Sequence, residues 1–125
     1  MAAFVTEFRL INDVLFFHWI ATVGPKMEAA ANEAADEIGK RAVSEIQSRL
    51  YPGHGYRTGN LHNSYHYKVT GSGAHVGLEV GSDCEYAPYV EYRWGGKVSH
   101  FRPAMTVIGK EAPKIIRDRL GAVLQ

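Results

Sequence analysis

Six histidines and a single cysteine carry the most versatile chemistry in this 125-residue chain, and their spacing argues against using it. If residues 62–70 form a strand, His62 and His66 share a face, but the rise of a strand sets them about 13 Å apart, too far to share one ion. No Cys-x-x-Cys or His-Glu-x-x-His spacing occurs, so no metal is expected. Cys84 has His75 and His100 as conceivable bases. It lies between Asp83 and Glu85, the opposite of the electropositive setting that activates a thiolate, and a lone cysteine usually serves as a small apolar residue. Ser64 lacks the Gly-x-Ser-x-Gly context of a nucleophile elbow. The run from Gly53 to Gly59 is glycine-rich but lacks the Gly-Lys-Ser/Thr ending of a phosphate-binding loop, which leaves an ordinary turn. Acidic pairs such as Asp36 and Glu37 fit a solvated helix face. No catalytic constellation emerges, so the chain is expected to be no enzyme and to need no cofactor.

Two neighbouring clusters suit binding better than catalysis. Tyr86, Tyr89, Glu91 and Tyr92 place three tyrosines beside one charge, the composition of an interface core with a polar edge. Arg93, Lys97 and Arg102, with His100 between them and Trp94 and Phe101 interleaved, suit either single-stranded nucleic acid or a protein partner, since Trp, Tyr and Arg are the usual anchors of interfaces. The formal net charge is only +1, whereas a free-standing nucleic-acid binder carries a basic excess. A protein interface is therefore preferred, with a small DNA-binding module built on the loop 93–102 as the alternative. That loop contains Gly95 and Gly96 and few apolar anchors, so it is expected to be loosely held in the isolated subunit.

The elements that would position these residues follow from periodicity. Phe4 to Ile11 alternates as a strand. Asn12 suits an N-cap, and Val14 to Ile20 reads either as a short helix or as a buried strand. Pro25 suits the first turn of a helix reaching Leu50, in which Met27, Ala31, Ala34, Ile38, Ala42, Ile46 and Leu50 form one apolar stripe. The alanines make that stripe thin enough for another element, or another subunit, to approach closely. His62–Thr70 and His75–Gly81 alternate on either side of Gly71, Ser72, Gly73 and Ala74, the pattern of a hairpin. Tyr86 to Tyr92 fits a helical turn. Pro103 opens a last helix, which Gly109 and Pro113 are expected to kink or split. Hydrophobic residues make up 46% and charged residues 22%, ordinary globular proportions, and 125 residues suggest one domain, 1–125. With one cysteine, no basic leader before an apolar run and no apolar run near 20 residues, a soluble protein made in the cytoplasm is expected, with no membrane partner.

Three segments together resemble a known family. Arg57-Thr58-Gly59-Asn60-Leu61-His62-Asn63-Ser64 resembles a Thr-Gly-x-Leu-x-x-Ser signature. Val80-Gly81-Ser82, followed by Tyr86-Ala87-Pro88-Tyr89-Val90-Glu91-Tyr92, resembles Val-Gly … Tyr-Ala-x-x-Val-Glu-Tyr/Phe-Gly. Phe101-Arg102-Pro103-Ala104-Met105 resembles the Arg-Pro entry to a last helix. The family is that of the small tail-component proteins of long-tailed bacteriophages, variously called minor tail, neck, tail-completion or head–tail joining proteins. The resemblance spans roughly residues 25–120. One departure is Arg93-Trp94-Gly95-Gly96, where the family usually has Gly-Thr after the tyrosine segment. The resemblance implies an α+β fold, a small, mostly antiparallel sheet packed by the long helix and the C-terminal helix, and it favours a helix for Val14 to Ile20. It gives structural roles to Thr58, Gly59, Leu61, Ser64, Gly81, Ala87 and Pro103, whereas the contact roles expected of Tyr86, Tyr89, Glu91, Tyr92, Trp94 and Phe101 rest on their composition. It also implies a virion protein that joins copies of itself in a ring, in a hexamer if it matches tail-tube symmetry. The ring's partners would be the tail tube protein and the head connector or stopper proteins, and genomic DNA would pass through it without specific binding.

Overall fold

A computed structural model describes residues 4–11, 14–22, 28–52, 55–56, 59–72, 75–97 and 99–123. The architecture is α+β. Strands β1 (Phe4–Ile11), β2 (Val14–Thr22), β5 (Tyr65–Ser72) and β6 (His75–Ser82) form one antiparallel sheet in the order β1-β2-β6-β5. Between β2 and β5 the chain forms helix α1 (Glu28–Ser48), a two-residue parallel bridge between β3 (Tyr51–Pro52) and β4 (Gly55–Tyr56), and the short helix α2 (Asn60–Ser64). Helix α3 (Ala87–Tyr92), a 3-10 turn (Arg93–Gly96) and helix α4 (Phe101–Val123) complete it.

The thin stripe of α1 acts as the sequence pattern implies. Ala31, Ala34, Ala35, Ile38, Ala42 and Ile46 are buried against Val76, Leu78 and Val80 of β6 and against Ala104, Met105, Ile108 and Ile116 of α4. Small side chains let α4 and the sheet both come close to α1, so the element the alanines admit belongs to the same subunit. The closest approach is at Gly39, over which the Tyr67 ring of β5 lies. The Tyr67 hydroxyl donates to Asp36 at 2.7 Å, and Lys40 pairs with the same carboxylate at 3.1 Å. Those two partners hold the Asp36 carboxyl below the usual carboxylate range. Arg119 of α4 reaches both Glu33 and Glu37 of α1, and Arg41 pairs with Glu111. These pairs run the two helices antiparallel, although exposed ion pairs add little stability.

Four expectations are corrected. Val14 to Ile20 is not a helix but most of β2, an inner strand hydrogen-bonded to β1 on one side and β6 on the other. Its β-branched and aromatic residues suit a strand, and a continuous apolar run is typical of inner strands. Residues 60–64, expected to lead into or begin a strand, form α2 instead. Gly59, at φ 85°, takes the left-handed conformation that starts this turn, and Ser64 Oγ donates back to the Leu61 carbonyl at 2.6 Å. His62 and His66 therefore do not share a strand. The hairpin itself stands, with β5 and β6 paired from Tyr65↔Ser82 to Ser72↔His75. Finally, α4 is not split at Gly109 or Pro113 but runs as one helix with Pro113 inside it. The hydrogen bond Pro113 cannot make would have gone to the carbonyl of Gly109, an exposed residue whose backbone water can reach. Asn12, Pro25, Met27, Thr58, Gly73 and Ala74 lie outside the described residues.

Candidate functional site

The segments that the sequence singles out, far apart along the chain, meet at one node, and its centre is Glu91. This carboxylate is fully buried. Its Oε1 accepts from the backbone N–H of His100 at 2.9 Å and of Phe101 at 2.7 Å. Its Oε2 accepts from the N–H and Nε of Arg102, both at 3.0 Å, and from the Ser99 hydroxyl. The first N–H groups of a helix have no partner inside it, so Glu91, from α3, caps α4 across a gap in sequence. Pro103 follows in the first turn of α4, where a residue without an N–H leaves nothing to satisfy. Burial would raise the Glu91 carboxyl, but the bonds from Ser99 and from the backbone of Phe101, His100 and Arg102 outweigh it and hold it below its ordinary value of 4.5.

Two further links close the node. The Tyr65 hydroxyl and His100 Nε2 share a hydrogen bond of 2.5 Å, and the Tyr65 ring stacks on Phe101 with centroids 5.9 Å apart. Burial, with the Glu91 charge nearby, pushes the Tyr65 hydroxyl well above its usual range, so it stays protonated. At the end of β6, the Cys84 N–H donates to Ser82 Oγ at 2.9 Å, and Ser82 Oγ meets Ser64 Oγ at 2.5 Å. Because the Ser64 hydroxyl already donates to Leu61, Ser82 supplies the proton of that bond. Leu61 and Ala87 are buried in the core, and Gly59 and Gly81 are also buried. The tyrosine–histidine–glutamate line resembles a proton relay, yet Tyr65, His100 and Glu91 are all enclosed and each faces a structural partner.

The exposed part of the same region is aromatic. Tyr86, Tyr89, Tyr92 and Trp94 are 43%, 62%, 46% and 60% exposed. The Arg93 guanidinium lies 3.7 Å from the centre of the Trp94 ring and 5.3 Å from that of Tyr89, and Arg102 lies 4.3 Å from that of Tyr92. Trp94 sits at φ 52°, ψ 41°, followed by Gly95 and Gly96, both at positive φ. A left-handed tryptophan is uncommon and costs of order 1 kcal/mol or more.

This placement corrects the sequence expectations at two residues and one loop. Glu91 and Phe101 are sealed inside the subunit and offer no surface to a partner. The loop after Tyr92 is not loose over residues 99–102, which Glu91 grips; Val98 lies outside the described residues. Of the three cations expected to touch nucleic acid, Arg93 is engaged by aromatic rings, Arg102 by Glu91 and Tyr92, and Lys97 is exposed. Ser82, Ser99 and Tyr65 were missed as node residues. Their hydrogen-bond partners lie 8 to 35 positions away in sequence, and no local pattern marks them.

Residues 19–92, from the middle of β2 to the end of α3, match the family described as "Bacteriophage HK97-gp10, putative tail-component". The chain belongs to this family of phage tail components. No curated protein and no solved structure matches it. The tail-component match ends at Tyr92, so α4 lies beyond it, and Glu91, one residue inside its limit, secures α4 to the matched region. This tail-component chain is thus a structural protein of a phage tail. Among the described residues no group of His, Cys, Asp and Glu is placed to hold a metal, and no helix is long and apolar enough to cross a membrane.

Proposed function

We propose that this tail component is a ring-forming subunit at the neck or tail end of a bacteriophage virion. There it joins or terminates the tail at the head connector, and Tyr86, Tyr89, Tyr92 and Trp94 form its contact surface. The observation that carries the reading is the braced display of large aromatics. Four exposed rings stand on a short helix and a left-handed turn whose base is fixed by the buried Glu91 clasp. Rigid exposed aromatics with stacked arginines are the usual anchors of protein interfaces, and holding them in place beforehand lowers the entropic cost of binding. A sheet with two outer strands, β1 and β5, also favours assembly as a means of covering edges. Repeated head-to-tail contacts close into a ring when the rotation permits, and a hexamer would match a six-fold tail tube.

The partners in this reading are further copies of the chain, the tail tube protein and the connector or stopper proteins. DNA passes through the ring without being gripped. The net charge of +1 and the engagement of Arg93 and Arg102 within the subunit both support passive passage over the alternative of a DNA-binding loop.

The test is the double variant Tyr89→Ala/Trp94→Ala. Both side chains are largely exposed, so the melting temperature is expected to hold. Loss of two anchors at about 2 kcal/mol each lowers contact affinity by a factor of about 1,000. In complementation of a phage lacking the gene, the yield of joined, infectious particles is expected to collapse. A normal yield from a variant that folds normally would contradict the assignment of this surface.

A further inference from the structure

We infer that the aromatic surface recognises an acidic side chain, Asp or Glu, of its protein partner, and that Arg93 is the residue that takes the carboxylate. The inference rests on the contact surface proposed above and names the chemistry which that surface reads.

Two arginines lie against rings in this region, and they differ in how their charge is met. Arg102 lies 4.3 Å from the centre of the Tyr92 ring, and its Nε donates to the Glu91 carboxylate at 3.0 Å. Arg93 lies 3.7 Å from the centre of the Trp94 ring and 5.3 Å from that of Tyr89, but among the described residues no carboxylate pairs with it. Its Nε is buried and has no hydrogen-bond acceptor. Buried donors nearly always find a partner, and one left without calls for an explanation. The two terminal nitrogens of Arg93 are not shut in with Nε. Stacking occupies the face of a guanidinium and leaves its N–H edge free. That edge presents two parallel N–H bonds at the spacing of the two carboxylate oxygens.

The backbone is bent to hold this arrangement. Neighbouring side chains do not ordinarily face one another in a helix or a strand. At φ 52°, ψ 41° the Trp94 backbone brings its ring onto the guanidinium of the residue before it. Such strained conformations gather at ligand clamps, where the surroundings hold them. Here the result is an arginine whose position is set before a partner arrives, which lowers the cost of binding.

The setting favours a protein carboxylate over a DNA phosphate. A duplex backbone is met by several cations, whereas Arg102 is already neutralised by Glu91. That leaves Arg93 beside the exposed rings of Tyr89 and Trp94, with Lys97 exposed further along the turn. An arginine among tryptophan and tyrosine is the composition of an interface hot spot. Partner side chains that cover the rings exclude water from the ion pair between them, and a charge pair at such a place fixes register and rejects wrong partners.

A zero-length crosslink tests the inference in the assembled particle. Cells that make both the wild-type chain and an Arg93→Lys chain give mosaic particles, so assembly does not depend on the variant alone. Carbodiimide then joins the introduced amine to a carboxylate in direct contact with it. Mass spectrometry should find that amine linked to an Asp or Glu in the particles and not in the free chain. No such link in the particles, or the same link in the free chain, overturns the inference. Arg93→Gln should retain the wild-type melting temperature, since no acceptor is lost, and should lower the yield of joined particles at least tenfold in complementation. Normal joining by Arg93→Gln, with Tyr89→Ala/Trp94→Ala defective, overturns the carboxylate reading and leaves the contact surface standing. Normal joining by both removes the two together. If Arg93→Gln instead abolishes salt-sensitive binding of a duplex DNA probe and the particles yield no crosslink, the anion is a phosphate and the inference is wrong.

Discussion

Glu91→Ala is expected to destabilise the protein by about 3 kcal/mol or more, the scale seen when one partner of a buried charged network is removed. The substitution strips the cap from three backbone N–H groups at the start of α4 and leaves the Ser99 hydroxyl and Arg102 Nε without their acceptor. It also cuts the link by which α3 supports the aromatic surface. The melting temperature should fall by about 10 °C or more for a chain of this size. Glu91→Gln should recover part of the loss, since its amide oxygen still accepts while its NH2 group confronts donors. The pH dependence has a definite sign. Because the folded carboxyl titrates below its ordinary 4.5, its contribution is fully present above that value and is lost as pH falls through the lowered folded value. Thermal denaturation followed by circular dichroism should therefore show wild type losing stability below about pH 4.5 more steeply than Glu91→Gln. Equal slopes, or a Glu91→Ala variant as stable as wild type, would contradict the clasp.

Gly39→Ala is the second large effect, and it runs against helix propensity. In an exposed helix interior this change gains about 1 kcal/mol. Here an added Cβ would lie within 3.0 Å of three carbons of the Tyr67 ring, so α1 must lift from β5 or the ring must swing away from Asp36. Overpacking of this kind costs about 1–3 kcal/mol, and the hydroxyl bond to Asp36 goes with it. A net destabilisation of about 2 kcal/mol is expected in urea denaturation. Gly39→Ala/Tyr67→Leu should recover much of that loss, a coupling that marks direct contact. If Gly39→Ala raises the midpoint instead, the close approach of α1 to β5 is wrong.

Legibility from the sequence follows the range of the interactions. The three-and-four spacing from Ala31 to Ile46 reveals α1, and the alternation of Tyr65, Tyr67 and Val69 reveals the inner face of β5, because burial on one face leaves a periodic trace. Strand β2 escapes this logic. Its apolar run is not strictly periodic, and only its pairing with β1 and β6 decides for a strand. The interface composition around Tyr89 and Trp94 is visible in the sequence, and those side chains are exposed. The roles of Glu91 and Phe101 are not visible, because a charge and an aromatic among tyrosines read as surface residues. Three N–H groups of a helix that starts ten residues later turn that charge into a core residue. The left-handed backbone at Trp94 is equally hidden, since the sequence shows only the two glycines after it.

The central claim is that this tail component is a ring subunit whose aromatic surface meets a neighbouring tail protein. Electron cryomicroscopy of the phage that encodes it tests this most directly. The account predicts density for this chain as a closed ring on the particle axis, where tail meets head connector, with Tyr89 and Trp94 against an adjacent subunit and an open passage at the centre. A mature particle in which the chain is absent, or in which its copies sit off-axis with the Tyr89 and Trp94 surface facing solvent, would contradict it.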